Sequence, residues 1–285
     1  MTTDQASLTD LRREIDAIDD AIHDQLMRRG ELQAEIGRAK SSSEVYIRPG
    51  REAKVLRRLI GRHQGRFPKA VLVRIWREIF AAGLGLQNDF AIATLAGNDK
   101  APLRSLARDH FGTLTPIQPM GSAQRVLQAV SDGAATVGVL PMPESEEKDP
   151  WWRRLTQSGE RAPRIIARLP FAAEISTAGG HEALAVGLAP PEETGYDRSY
   201  LVVETATQTS RSALKKAVED GGFTVLDWKY SAAGSGDALY LVEVDGFLGE
   251  DDPRPGQLPE ASGNTILSVW RAGGYSAPLT AEELA

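Results

Sequence analysis

The chain of 285 residues contains no cysteine. Disulfide bonds, thiolate metal sites and a cysteine nucleophile are therefore excluded, and the composition suits the cytoplasm. No apolar run is long enough to cross a bilayer, and the first residues resemble neither a signal peptide nor a transit peptide. Internal repeats and low-complexity segments are also missing. We expect a cytoplasmic protein without membrane contact, long enough for two or three domains.

The charge of the chain is unevenly distributed. Residues 1–90 carry 16 Lys and Arg against 13 Asp and Glu, whereas the remainder carries 17 against 26. The basic residues alternate with acidic ones and do not form the one-sided patch that a phosphate backbone requires. We therefore expect a small anionic ligand, and no nucleic acid.

The first long helix is predicted from Leu8 to Lys40, with Ser7 or Thr9 as its cap. Arg29 occupies a position that the heptad spacing of this helix reserves for an apolar residue, and a cation there is costly unless an anion meets it. The alternatives are that its side chain extends past the apolar stripe or pairs with a Glu on a neighbouring helix. The stripe itself is formed by Leu8, Leu11, Ile15, Ile18, Ile22, Leu26, Leu32 and Ile36.

Two shorter helices are predicted at about 49–63 and 68–88, after the Pro and Gly of the turns before them. They are too short to cover the stripe of the first helix. A second copy of the chain is the expected cover of this all-α domain, which spans residues 1–90.

Beyond residue 90 the pattern alternates between strands and helices. Residues 91–197 are predicted to form an α/β domain, with strands in FAIATLAG, ATVGVLPM and PRIIARLPF and helices near 102–110 and 122–132. The segment 174–197 is predicted to be a helix followed by a linker. Residues 198–285 read as a ferredoxin-like α+β module in which the second helix is short or missing.

Helix geometry places several polar residues of the first domain around one space. Arg29 and Lys40 point the same way about 16 Å apart, which leaves room for a compact anion. Arg12 lies about 25 Å from Arg29, so that it can reach the same anion only from an antiparallel partner helix. With Glu52 and Gln87 nearby, such a pocket suits a dicarboxylate whose reaction needs developing negative charge to be stabilised. It offers no nucleophile and no cofactor ligand.

The motifs LRREID, RRGEL, IGRAK, RPGRE and WREIFAAGLGLQ, at this spacing, make residues 7–90 resemble the all-helical chorismate mutases. The resemblance implies an interlocked homodimer that rearranges chorismate to prephenate without a cofactor, in phenylalanine and tyrosine biosynthesis. Each of its two sites would borrow an arginine from the partner.

The resemblance also implies a role for each matching residue. Arg29 and Arg12 of the partner subunit would bind the two carboxylates, with Arg51 in support. Lys40 and Gln87 would donate to the ether oxygen. Glu52 would receive the ring hydroxyl. Because the side chain of Gln87 is neutral, we expect a pH optimum of activity near or above neutrality.

Two positions depart from the family pattern. Arg48 stands where relatives often carry an acid, which removes a contact to the hydroxyl and adds positive charge at the mouth of the site. Gly83 stands where relatives often carry a hydroxyl residue, at the cost of one hydrogen bond. Neither position belongs to the central cations.

The rest of the chain resembles a degenerate prephenate dehydratase followed by an amino-acid-binding ACT module. Of the Thr-Arg-Phe segment of dehydratases only Arg198 is retained, between Asp197 and Ser199. We expect no dehydratase activity and a structural or regulatory role, with an aromatic amino acid as a candidate effector. The alternatives are a bifunctional mutase–dehydratase, a non-catalytic regulatory or scaffold protein of aromatic amino acid biosynthesis, and a related lyase that cleaves isochorismate.

Overall fold

A computed structural model describes residues 7–40, 47–147, 149–157, 159, 161–206, 209–232, 238–263 and 265–285. Its first part contains three helices: α1 (Leu8–Ala39), α2 (Pro49–Gly61) and α3 (Lys69–Gly85). Ser7 caps α1, since its side chain accepts a hydrogen bond from the backbone N–H of Asp10 at 3.2 Å. The serines at 41–43, predicted to end α1, lie outside the described residues. The three predicted helices are confirmed.

The described residues outside α1 leave its apolar stripe uncovered. No residue of α1 is buried, and Leu8 and Ile15 are 64% and 57% exposed. A stripe of this length in water is unusual for a helix of a folded monomer.

The residues described beyond α3 form one sheet of nine strands. Its first half contains β1 (Ile92–Leu95), β2 (Ile117–Met120), β3 (Val137–Pro141), β4 (Arg164–Leu169) and β5 (Ala183–Gly187), with α4 (Ala101–Phe111) and α5 (Ala123–Asp132). Strand β1 pairs in parallel with β2 and β3, as expected when helices connect the strands. Alternate residues of β1 face opposite layers: Ile92 packs with α4 and Ala93 with α5.

Two elements of this half differ from the sequence prediction. Strand β5 lies in the segment predicted as a helix and linker, because its run Ala-Leu-Ala-Val-Gly is buried on both faces and shows no alternation. Strand β2 was not predicted, because it is four residues long and contains Pro119, which is tolerated at the edge of the sheet.

The second half of the sheet is the ferredoxin-like module. It contains β6 (Asp197–Thr205), α6 (Arg211–Asp220), β7 (Val225–Ala232), β8 (Ala238–Asp245), α7 (Arg254–Ala261) and β9 (Ile266–Ser276), and the chain ends in α8 (Ala281–Leu284). The strand order β9-β6-β8-β7 with antiparallel pairing confirms the prediction. Helix α7 has eight residues and contains Pro259, so the second helix is short, as expected.

Strands β4 and β9 are the neighbours through which the two halves of the sheet join. Among the described residues, the register pair of these two strands is Ile165 with Gly273. Gly273 has a positive φ of 108°, and a Cβ there would collide with the backbone of Ile165. Glycine is therefore required where the two halves meet.

The C-terminal end of the chain holds α2. Arg57 donates to the carboxylate of Glu283 at 3.1 Å, to the hydroxyl of Ser276 at 3.0 Å and to the carbonyl of Ala277 at 2.7 Å. Its guanidinium also lies 4.2 Å from the ring centroid of Tyr196. The helical region is thus fixed to the sheet through α2.

The contact between α1 and the end of α3 leads to a prediction about Gly37. A Cβ at Gly37 would lie 2.8 Å from the Cα of Gln87, whereas one at Gly61 would meet nothing within 4 Å. We expect Gly37→Ala to cost about 1–3 kcal/mol of stability through overpacking, and to lower Tm accordingly. The control Gly61→Ala should keep or slightly raise Tm. Equal melting temperatures for the two variants would contradict the close approach.

Candidate active site

A cavity of about 490 Å³ lies where α1, α2 and α3 meet. Six of the seven residues predicted from the sequence line it together: Arg29, Lys40, Arg48, Arg51, Glu52 and Gln87. Three different helices, or the residues directly flanking them, supply these side chains. Residues far apart in the sequence therefore form one cationic space.

Arg12 is not part of this cavity in one chain. It lies on the N-terminal half of α1, 17 residues before Arg29 and about 25 Å away along the helix axis. The position is exposed. A single chain therefore supplies every predicted member of the site except this one.

Arg29 is half-buried among aromatic and backbone groups. Its guanidinium lies 5.7 Å from the ring centroid of Trp76 and 5.8 Å from that of Phe80, and it donates to the carbonyl of Ile79 at 3.3 Å. Burial lowers the pKa of Arg29, the negative charge of Glu52 raises it, and Arg51 lowers it. The cation misplaced in the stripe of α1 is thus held at the inner wall of the cavity.

Glu52 is already engaged inside the protein. Its Oε2 accepts a hydrogen bond at 3.0 Å from Arg77, whose side chain is 3% exposed. Burial raises the pKa of Glu52 to about 7, against the opposing effects of Arg77 and Arg29. Burial also lowers the pKa of Arg77 to about 10. Near pH 7 this carboxyl therefore exchanges between its neutral and ionised forms.

Gln87 is held by its neighbours on α1 and α3. Its Nε2 donates to the side-chain oxygen of Gln33 and, at 3.2 Å, to the carbonyl of Gly83. A Cβ at Gly83 would come within 2.9 Å of Nε2 of Gln33 and 3.3 Å of Arg29. The glycine that departs from the family pattern thus makes room for two polar side chains of the cavity.

Arg48 is paired with a residue from the far end of the chain. Its guanidinium donates twice to Oε1 of Glu192, at 2.7 Å from Nε and by a further bond from Nη2. The positive charge expected at the mouth of the site is therefore neutralised by a carboxylate.

Several lining residues were not predicted, although the sequence carries a signal for some of them. Gln33 follows Arg29 by one helical turn and Arg58 follows Arg51 by two, so both share a face with a predicted residue. Arg77, which contacts Glu52 from behind the lining, interrupts the apolar run of α3 as Arg29 interrupts that of α1. The apolar part of the lining is formed by Ile36, Val55, Trp76, Phe80 and Leu84.

The arrangement can bind a compact dianion and stabilise charge that develops on one of its oxygens. Guanidinium and ammonium groups offer donors for carboxylates, and an amide offers a neutral donor. Within the described part of the chain, no group of three His, Cys, Asp or Glu side chains is placed to hold a metal ion. Among the same residues no helix is long and apolar enough to span a membrane.

Comparison with known families identifies the helical region. Residues 11–88 match the family model for chorismate mutase type II. The matched residues include every element that lines the cavity and all seven predicted site residues. The resemblance of the N-terminal region is confirmed.

Curated relatives extend this likeness beyond the helices. A bifunctional chorismate mutase/prephenate dehydratase of Stutzerimonas stutzeri is 32% identical over 143 residues, which are 48% of this chain and 39% of that protein. One of Aquifex aeolicus is 32% identical over 145 residues, 49% of this chain and 40% of that protein. Both alignments are longer than the helical region, but they span only about two fifths of the relatives' length.

Solved structures show a looser similarity. A prephenate dehydratase of Arthrobacter aurescens in complex with L-Phe is 14% identical, with a TM-score of 0.46 over 68% of this chain and 93% of that one. A likeness of this extent says nothing about activity.

The buried pair of Glu52 and Arg77 leads to a prediction about pH. Because the folded-state pKa of Glu52 lies above its ordinary value of 4.5, the folded chain binds the extra proton between pH 4.5 and about 7. The free energy of unfolding should therefore fall as pH rises through this window. Relative to Glu52→Gln, which cannot titrate at this position, the decrease should be about 3 kcal/mol. Urea denaturation of both proteins at several pH values measures the difference. Glu193→Gln, an exposed neighbour of the pairing residue Glu192, is the control and should parallel the wild type. Parallel curves for wild type and Glu52→Gln would contradict the shifted pKa.

Proposed function

We propose that the protein is a chorismate mutase, which rearranges chorismate to prephenate. The observation that carries the proposal is the cavity shared by Arg29, Lys40, Arg48, Arg51, Glu52 and Gln87, which coincides with the residues that match the mutase family. Chorismate is a compact dianion. The reaction breaks one C–O bond and forms one C–C bond within the molecule, so no atom or electron pair leaves.

In the proposed mechanism the protein selects a reactive conformer and stabilises charge on the ether oxygen. Arg29 binds one carboxylate and Arg12 of the partner subunit binds the other, with Arg51 in support. Lys40 and Gln87 donate hydrogen bonds to the ether oxygen as its bond to carbon lengthens.

Two polar groups have further tasks in this mechanism. The amide of Gln87 gives up one of its bonds, to Gln33 or to Gly83, when it turns to the ether oxygen. Arg77 occupies Oε2 of Glu52. The ring hydroxyl of the substrate bonds to the other carboxylate oxygen, Oε1. These steps need no cofactor.

A homodimer with two shared sites completes the proposal. The uncovered stripe of α1 supports it, as does an apolar groove of about 640 Å³ that lies along α1 and α3 and includes Leu26, Met27, Ile79 and Leu86. An antiparallel partner helix would cover both and would bring Arg12 of the partner subunit to Arg29 and Lys40.

The remaining two thirds of the chain are proposed to be structural or regulatory, without dehydratase activity. Arg198 lies 3.5 Å from the buried carboxylate of Glu243, and the hydroxyl of Ser199 donates to the carbonyl of Gly246. The space beside them measures about 20 Å³, which is room for about one water molecule. A dicarboxylate does not fit there. An aromatic amino acid is the proposed effector of this region, and the cytoplasm is the proposed compartment.

The central test of this function is the loss of chorismate absorbance with purified protein in metal-free buffer. We expect turnover to prephenate, and phenylpyruvate only after the product is acidified. Lys40→Ala should lower kcat by about 100-fold, because a donor to the developing oxyanion is lost. Lys54→Ala, on the exposed side of α2, is the control. Absence of turnover by the wild type would refute the proposal; phenylpyruvate without acid would refute the lack of dehydratase activity.

The shared site predicts complementation between two inactive variants. Arg12→Ala and Lys40→Ala each damage both sites of a homodimer. When the two are co-expressed, each heterodimer regains one intact site, so random pairing restores about a quarter of the wild-type activity. Light scattering should show a dimer in every case. A mixture no more active than its components would show that Arg12 does not act across the dimer.

A further inference from the structure

The segment between β5 and β6 reaches the first turn of α2. Residues Pro190, Pro191 and Glu192 follow the sheet and end beside Gly50. A Cβ at Gly50 would lie 2.7 Å from the Cβ of Glu192 and 3.0 Å from its carbonyl oxygen. The backbone of α2 at Gly50 is therefore packed directly against Glu192, and a residue larger than glycine does not fit at position 50.

A single carboxylate makes all the polar bonds of this contact. Oε1 of Glu192 accepts the two bonds from Arg48, and Oε2 accepts the backbone N–H of Arg51 at 3.0 Å. The side chain of Glu192 is 21% exposed, against 54% for Arg48. A carboxylate that accepts a free N–H in the first turn of a helix is in the favourable position for the helix dipole.

The contact holds the cavity-lining residues at the N-terminal end of α2. Arg48, Arg51 and Glu52 line the cavity within one helical turn of each other, whereas Val55 and Arg58 line it farther along α2. Lys40 caps α1 and Gln87 follows α3, so both belong to segments other than the first turn of α2. The contact therefore acts on the wall of the cavity that the start of α2 forms.

The other contact between α2 and the sheet lies farther along the helix. Arg57 is bound to Glu283 and Ser276, two turns from Arg51, and lines no part of the cavity. Glu192 is thus the described residue outside the helical region whose side chain bonds directly to cavity-lining residues of α2.

We propose that Glu192 is a positioning residue of the dicarboxylate site, through which the C-terminal body holds Arg48 and the first turn of α2 in the geometry that binds substrate. The proposal rests on the proposed mutase function. It assigns the body a direct part in substrate affinity: the helical region is not an independent catalyst attached to it. Because Arg51 and Glu52 contact groups of the substrate that do not react, loss of Glu192 weakens ground-state and transition-state binding alike.

The direction of the change in KM distinguishes positioning from competition between Glu192 and the substrate. If Glu192 occupied Arg48 in place of a substrate carboxylate, its removal would free Arg48 and tighten binding. Positioning predicts a higher KM on removal of Glu192, whereas competition predicts a lower one.

Steady-state kinetics of Glu192→Ala and Glu192→Gln test the proposal, with Glu193→Gln as the matched control. We expect Glu192→Ala to raise KM about five- to tenfold, the size of a lost helix cap with its ion pair, and to change kcat by less than about twofold. Glu192→Gln keeps an acceptor for the N–H of Arg51 and should lie between Ala and wild type. Glu193→Gln should match the wild type. An unchanged KM, a lower KM, or a loss confined to kcat would overturn the proposal.

A second measurement does not depend on activity. Amide hydrogen exchange of the substrate-free protein should be faster at 50–53 in Glu192→Ala than in wild type or Glu193→Gln, and unchanged in α3. Unchanged exchange at 50–53 would overturn the positioning role even if the protein proved to have another activity. Failure of the mutase assay with faster exchange at 50–53 would instead refute the proposed function and leave the structural contact in place.

Discussion

The cost of holding cations away from water is the constraint on which this site depends. Arg29 is half-buried against Trp76 and Phe80, and Arg77 is almost fully buried beside Glu52. Charges in such positions are tolerated only when carboxylates, carbonyl groups or aromatic rings meet them. Glu52 meets Arg77, and the carbonyl of Ile79 and the two aromatic rings meet Arg29. The proposed dianionic substrate would supply further negative charge. The same desolvation would strengthen each bond between these cations and a carboxylate of the proposed substrate.

The helical region and its cavity could be predicted from the sequence because their signals are local and periodic. The spacing of α1 exposes Arg29 as the exception in an apolar stripe, and helix geometry places Lys40 three turns farther on. The pairing of Arg48 with Glu192 could not be predicted in this way, since 144 positions separate the two residues and no motif links them. Strand β5 could not be predicted either, because it is buried on both faces. Its small apolar residues show no alternation of polar and apolar positions that would distinguish a strand from a helix.

The helical region is not an independent unit beside the rest of the chain, because segments that flank strands of one continuous sheet contact it directly. The two halves meet at Gly273, the ferredoxin-like half ends in α8, and α8 and the β5–β6 segment both grip α2. Both contacts therefore bear on the helix that carries Arg51 and Glu52.

The central claim is that the cavity of the helical region recognises a cyclic dicarboxylate. Isothermal titration calorimetry with a rigid bicyclic dicarboxylic acid, shaped like the transition state of the rearrangement, tests it directly. We expect one ligand bound per chain by the wild-type protein, and greatly weakened binding by Arg29→Ala. Absence of binding by the wild type, or equal binding by the wild type and Arg29→Ala, would contradict it.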